Sequence, residues 1–126
     1  MTTTPLTVTI FEDDEDLVFI CRYAFQEKGW KVFSFDNCSA IEEKVLLNKP
    51  DVIIMDNWIP DKGGVAATQA LKRSPLLQHI PVILFSANNN LEQLAVEAGA
   101  DAYIFKPFDI KEMMAKVETL VHSSEK

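Results

Sequence analysis

The sequence predicts a doubly wound α/β fold, built on a five-stranded parallel sheet with helices on both faces. Three observations carry that expectation: five apolar runs of strand length, intervening segments with helical spacing, and strands that stay apolar at consecutive positions. A run such as Val52-Ile53-Ile54-Met55 must be covered on both faces, which a parallel sheet flanked by helices provides.

The expected strands are Leu6–Phe11, Val32–Phe35, Val52–Met55, Val82–Phe85 and Ala102–Phe105. The first helix, Glu15 to Lys28, places Leu17, Cys21, Ala24 and Phe25 on one stripe and ends at Gly29 as its C-terminal cap. Ser39 and Glu42 have the spacing of a capping box, opening a second helix that stops at Lys49 before Pro50. The third helix is expected over Gly64–Arg73, the fourth from Asn90 to Ala98 before Gly99, and the last from Asp109, its N-cap, to Val121.

The 126 residues fit one domain over 1–126, with a core from about 7 to 121. With 48% hydrophobic and 25% charged residues, the composition is that of a globular protein. A net charge of −7 argues against direct nucleic-acid binding, which needs a basic surface, and favours a protein partner or a cation. The start of the chain lacks the pattern of a signal peptide and no stretch reads as a membrane span, so a cytoplasmic location without membrane contact is expected. Cys21 and Cys38 do not form a CxxC motif and are read as buried or incidental thiols; His79 and His122 are similarly isolated.

Ligands of such folds bind beyond the carboxyl ends of the strands, where strand order reverses. The sequence puts Glu12, Asp13 and Asp14 after the first strand, Asp56 after the third, Ser86 after the fourth and Lys106 after the fifth. Carboxylates crowded together raise one another's pKa, and a cation resolves the conflict. Oxygen ligands open to water suit Mg²⁺ better than Ca²⁺ or Zn²⁺, since neither EF-hand spacing nor soft ligands are present. Asp14 and Asp16 also fit a plain helix start. Asp56, closing a buried strand, has no capping job there.

These residues resemble the response-regulator receiver family of two-component signalling, including its chemotaxis-type single-domain members. The resemblance spans about Thr7 to Val121. It rests on Glu12-Asp13, on Asp56 followed by Pro60 and Gly64, on Ser86-Ala87, and on Tyr103 three residues before Lys106-Pro107-Phe108. It implies a flavodoxin-like (βα)5 fold, with Asp56 accepting a phosphoryl group from a sensor histidine kinase or a histidine phosphotransfer protein. Asp13 and Asp56 would bind Mg²⁺ directly, Glu12 through water and Trp58 through its carbonyl, with Lys106 pairing Asp56 and then the phosphoryl group. Ser86 and Tyr103 would form the switch, altering the face made by the fourth helix, fifth strand and last helix, where a downstream protein or a second, phosphorylation-dependent copy docks. Asn57 stands where leucine is common. Trp58 and Asn88 occupy the variable positions two past Asp56 and Ser86, and a large indole there is expected to lengthen the life of the acyl phosphate.

The expectation is a stand-alone signalling domain that catalyses only its own phosphorylation and dephosphorylation. Alternatives are a receiver excised from a longer regulator or hybrid kinase with a separate output domain, a pseudo-receiver, a flavin or dinucleotide domain, and a Mg²⁺-dependent aspartyl phosphatase. The nucleotide reading lacks a glycine-rich loop after the first strand. The phosphatase reading lacks a second acid where Trp58 stands.

Overall fold

The computed structural model describes residues 5–124. Five strands alternate with five helices: β1 (Thr7–Phe11), α1 (Glu15–Glu27), β2 (Lys31–Phe35), α2 (Ile41–Asn48), β3 (Val52–Asp56), α3 (Gly64–Arg73), β4 (Val82–Ser86), α4 (Leu91–Ala98), β5 (Ala102–Phe105) and α5 (Ile110–Ser124). All the pairings are parallel, in the order β2-β1-β3-β4-β5. From β1 the chain steps outward to β2, then returns across β1 to β3, so the order reverses between β1 and β3. The crevice of a doubly wound sheet lies at that point.

The apolar residues of the strands divide between two cores, as coverage on both faces requires. On one face Phe11, Ile53, Met55, Val82 and Leu84 pack with Ile41 and Val45 of α2, Ala67 and Leu71 of α3, and Leu91 and Ala95 of α4. On the other, Val8, Ile10, Val52, Ile54, Ile83 and Phe85 meet Cys21 and Phe25 of α1 and Met113, Val117 and Val121 of α5. Strands β1, β3 and β4 are buried along their whole length, while the edge strand β2 is partly open.

Local chemistry sets most helix ends. The Asp14 carboxylate accepts from the N–H groups of Asp16 (3.0 Å) and Leu17 (3.2 Å), which makes it the N-cap of α1. After α1, Gly29 at φ +83° lets Gly29 N–H donate to the Gln26 carbonyl and Trp30 N–H to that of Phe25. Trp30 then packs on Phe25 at 5.2 Å, the apolar contact that accompanies this Schellman ending. Asp109 caps α5 by accepting from Lys111 N–H at 2.9 Å.

The start of α2 departs from expectation. The Ser39–Glu42 capping box does not form; the N-cap is Ala40, in the left-handed region at φ +50°, with no side-chain cap. Ser39 is held instead by Asn37, whose Oδ1 accepts from both its N–H (2.9 Å) and its hydroxyl (2.6 Å). A nearer acceptor in the preceding loop has taken the hydroxyl that the box needs.

Candidate functional site

Glu12, Asp56 and Lys106 each stand within one residue of a strand end, where the sheet ladder continues far enough to fix them, and Asp13 follows two residues past β1. Glu12 N–H donates to Phe35 O at 3.0 Å, Asn57 N–H to Phe85 O at 2.8 Å, and Lys106 N–H to Ser86 O at 2.9 Å. Glu12 and Asp56 are therefore held on pinned backbone, each about 4% exposed, whereas Asp13 is exposed.

The Lys106 ammonium donates to Glu12 Oε1 at 2.7 Å and to Asp56 Oδ1 at 3.2 Å. Glu12 Oε2 accepts from Asp14 N–H at 3.2 Å, and Asp56 Oδ1 also accepts from Trp58 N–H at 3.3 Å. Burial pushes the Glu12 carboxyl above the usual carboxylate range, and the nearby Asp56 charge adds to the rise even against the pull of Lys106. Burial opposes the charge on Lys106, but the two carboxylates outweigh it and hold the ammonium above its ordinary value. One ammonium thus faces two buried carboxylates.

Glu12, Asp13 and Asp56 each offer a carboxylate oxygen, and these oxygens lie within 4.8 Å of one another. All are hard donors, no thiolate or imidazole belongs to the group, and Asp13 opens it to water. That donor chemistry fits a small divalent cation such as Mg²⁺, which keeps several waters and takes one or two carboxylates. Asp14 does not join this group; its side chain caps α1. A cleft of about 540 Å³ opens beside Glu12 and Asp13, with Arg22, Ser34 and Asp36 also in its walls. The Cys21 thiol is pushed up to about 12, by burial first and then by the Glu12 charge, which makes it a poor nucleophile.

The remaining predicted residues lie around this centre in different states. Ser86 is buried, and its Oγ accepts from Asn88 N–H at 3.0 Å, so the hydroxyl is turned to its own loop. Tyr103 is half-buried against the core beneath α4, edge-on to Phe105 at 5.8 Å, with the Lys116 ammonium 5.3 Å from its ring centre. The Trp58 side chain is 70% exposed, so it is not packed flat into the loop that carries it.

The model for the response regulator receiver domain matches residues 8–118. The chain belongs to that family. Among curated proteins, this receiver is 32% identical over 123 residues to the transcriptional regulatory protein CreB of Escherichia coli, covering 95% of the chain and 52% of that protein. The receiver spans about half the length of the curated relatives it matches. Among solved structures it superposes with a TM-score of 0.85 on the signal receiver domain of a histidine kinase from Syntrophus aciditrophicus, at 28% identity over 93% of this chain and 90% of that one. A receiver domain of a Pseudomonas aeruginosa sensor histidine kinase, with a magnesium ion coordinated in its active-site cleft, gives a TM-score of 0.85 at 19% identity, covering 94% and 99% of the two chains. The acidic group of this receiver lies at the switch point its fold provides. Among the described residues no helix is long and apolar enough to cross a membrane.

Two features of the site escaped the sequence. Lys106 sits closer to Glu12 than to Asp56, and the loop after Asp56 is tied to Cys38. Both are contacts between segments far apart in sequence, which periodicity does not report.

Proposed function

We propose that this receiver acts in a phosphorelay, with Asp56 accepting a phosphoryl group from a phosphohistidine on a sensor histidine kinase or a histidine phosphotransfer protein. The observation that carries the reading is the arrangement around Asp56: a buried carboxylate at the strand switch point, two further carboxylates within reach of one cation, and Lys106 at 3.2 Å. An Asp56 carboxylate oxygen attacks phosphorus, the P–N bond breaks, and its electron pair leaves with the imidazole, which takes up a proton. Asp56 is left as an acyl phosphate, a mixed anhydride that water can later hydrolyse. Phosphoryl transfer needs mainly positioning and charge neutralisation.

Asp13 and Asp56 would hold Mg²⁺ directly, Glu12 through water and Trp58 through its backbone carbonyl. When bound, Mg²⁺ neutralises charge on the phosphoryl oxygens. Lys106 is already shared between Glu12 and Asp56, so it can move to a phosphoryl oxygen while Glu12 keeps hold of it. The Ser86 hydroxyl would leave Asn88 N–H for the phosphoryl group, and Tyr103 would move into the space released. That motion would change the face made by α4, β5 and α5, toward a downstream protein or a second copy. On this reading 1–126 is one cytoplasmic receiver domain, with its core over about 7–121, that signals rather than turns over an external substrate. A second reading, a receiver within a longer regulator or hybrid kinase, draws on curated relatives about twice its length and on the kinase receiver from Syntrophus.

Treatment with acetyl phosphate or phosphoramidate and Mg²⁺ is expected to add about 80 Da by mass spectrometry, the mass of the phosphoryl group in an aspartyl phosphate. Asp56→Asn and chelation of the metal should each abolish the adduct. No adduct on the wild-type chain would overturn the proposal.

Trp58 and Asn88 are proposed to tune how long the phosphoryl group lasts. An exposed indole two residues past Asp56 is free to overhang the line of attack for water. Trp58→Ala should then release phosphate several-fold faster, and equal release rates would reject the shielding role.

A further inference from the structure

The acceptor loop, 57–63, is secured differently at its two ends. Near Asp56 it is closed by its own backbone: Ile59 N–H donates to Asp56 O at 3.2 Å and Gly64 N–H to Asn57 O at 2.9 Å. Farther along, among the described residues, the hydrogen bonds of Pro60 and Lys62 all go to Cys38. Cys38 N–H donates to Pro60 O at 3.1 Å, the Cys38 thiol donates to the same oxygen at 3.3 Å, and Lys62 N–H donates to Cys38 Sγ at 3.5 Å.

Between those two anchored residues stands Asp61 at φ +96°, a conformation L side chains rarely adopt. A strained residue of this kind persists only where the surroundings over-determine it. Cys38 is suited to that task, because it is wholly buried and its own loop is cross-linked by hydrogen bonds. Next to it, Asn37 Oδ1 accepts from Ser39 N–H, the Ser39 hydroxyl and the Lys44 ammonium, the last at 3.3 Å. The sulfur therefore ties a hydrogen-bonded segment after β2 to the segment that carries Trp58.

We propose that Cys38 is a positioning residue for the cation site, its sulfur and amide holding the acceptor loop in the shape that brings the Trp58 carbonyl beside Asp56. The inference rests on the functional reading above. Cys38 touches neither a divalent cation nor a phosphoryl group; it acts through Pro60 and Lys62. Partners that orient ligands in this way commonly change metal affinity by tenfold or more when removed.

The test is the Mg²⁺ dissociation constant of the full chain, read from backbone amide NMR shifts of Trp58 and Asp13 during titration with MgCl₂. Cys38→Val keeps an apolar side chain and the backbone N–H bond to Pro60 but loses both sulfur contacts, the donation to Pro60 O and the acceptance from Lys62 N–H, and should weaken Mg²⁺ binding about tenfold. Cys38→Ala, which adds no bulk, should do the same if valine disturbs folding. Cys38→Ser keeps a donor and an acceptor and should restore affinity to within about twofold of wild type. A purely structural role would lower thermal stability without this split between valine and serine. Unchanged affinity in valine and alanine, beside a saturable wild-type response, overturns this inference alone, as does equal weakening in all three variants. No saturable response in the wild type overturns the functional reading and the inference with it.

Discussion

Lys106→Met is expected to bind Mg²⁺ more tightly than the wild type while losing Mg²⁺-dependent phosphoryl transfer by about 100-fold or more. The two effects have one cause. The Lys106 ammonium lies 2.7 Å from Glu12 and 3.2 Å from Asp56, and so competes with any cation those carboxylates attract. Methionine preserves the stem but removes the competitor, and with it the charge meant for the phosphoryl oxygens. In metal-free buffer the variant has two buried carboxylates without their counter-ion, a loss of about 3 kcal/mol, at the lower end for a broken buried pair. Glu12 already titrates above its ordinary 4.5 because of burial, and loss of Lys106 should raise it further. A raised carboxyl binds its proton more tightly in the folded state, so the stability it contributes is greatest below about 4.5 and is lost as pH rises through the folded value. Urea unfolding of the metal-free variant should therefore show its largest deficit near neutral pH, with most of it recovered on adding Mg²⁺. Equal Mg²⁺ affinity in the two proteins would show that Lys106 does not compete for the site.

The features legible in the sequence were those written in consecutive residues. Val52-Ile53-Ile54-Met55 demands cover on both faces, and the two cores supply it. Gly29 and Asp109 end and begin helices where their own backbone and side-chain chemistry dictates. The same logic failed at Ser39 and Glu42, because Asn37, two residues upstream, captured the serine hydroxyl first. A capping box is a competition between acceptors, and its spacing records only one competitor.

For the site, charges that break an apolar run are visible as strand ends, which is why Glu12, Asp56 and Lys106 could be placed on one edge. Their mutual distances were not visible. These depend on register between β1, β3 and β5, and only the folded sheet shows Lys106 leaning toward Glu12 across 94 residues of chain. The Cys38 tie to Pro60 and the pairing of Lys72 with Asp101 at the opposite end of the sheet were hidden for the same reason. Spacing reads Cys38 as a buried or incidental thiol, and it is wholly buried. Spacing tests for metal and redox chemistry, not for a thiol that fastens a loop.

Gly64→Ala should be among the most damaging single-methyl changes in the chain. A Cβ at that position would lie 2.5 Å from Asp56 O, 2.8 Å from Asn57 Cα and 3.1 Å from Asp56 C, all backbone atoms of the acceptor segment. None can swing aside as a flexible side chain would. In an open helix alanine is favoured over glycine by about 1 kcal/mol, and here that gain is set against overpacking of about 3 kcal/mol. The clash wins, and the thermal midpoint should fall by roughly 10 °C for a chain of this size. Any backbone shift that relieves the contact moves Asp56 itself, so Mg²⁺ affinity and phosphoryl uptake should fall along with stability. Gly63→Ala separates the causes. Gly63 sits at φ +86° and ψ 161°, a conformation essentially reserved for glycine, but its nearest contact is Asn57 O at 3.7 Å, so alanine there meets backbone strain of about 1–3 kcal/mol without the collision. Both variants should melt lower than the wild type, while Mg²⁺ titrations should rank Gly64→Ala as the more damaging, because only its Cβ collides with the Asp56 backbone. The reverse order would mean that the acceptor segment tolerates the close approach, and that Gly64 is not what fixes Asp56 against α3.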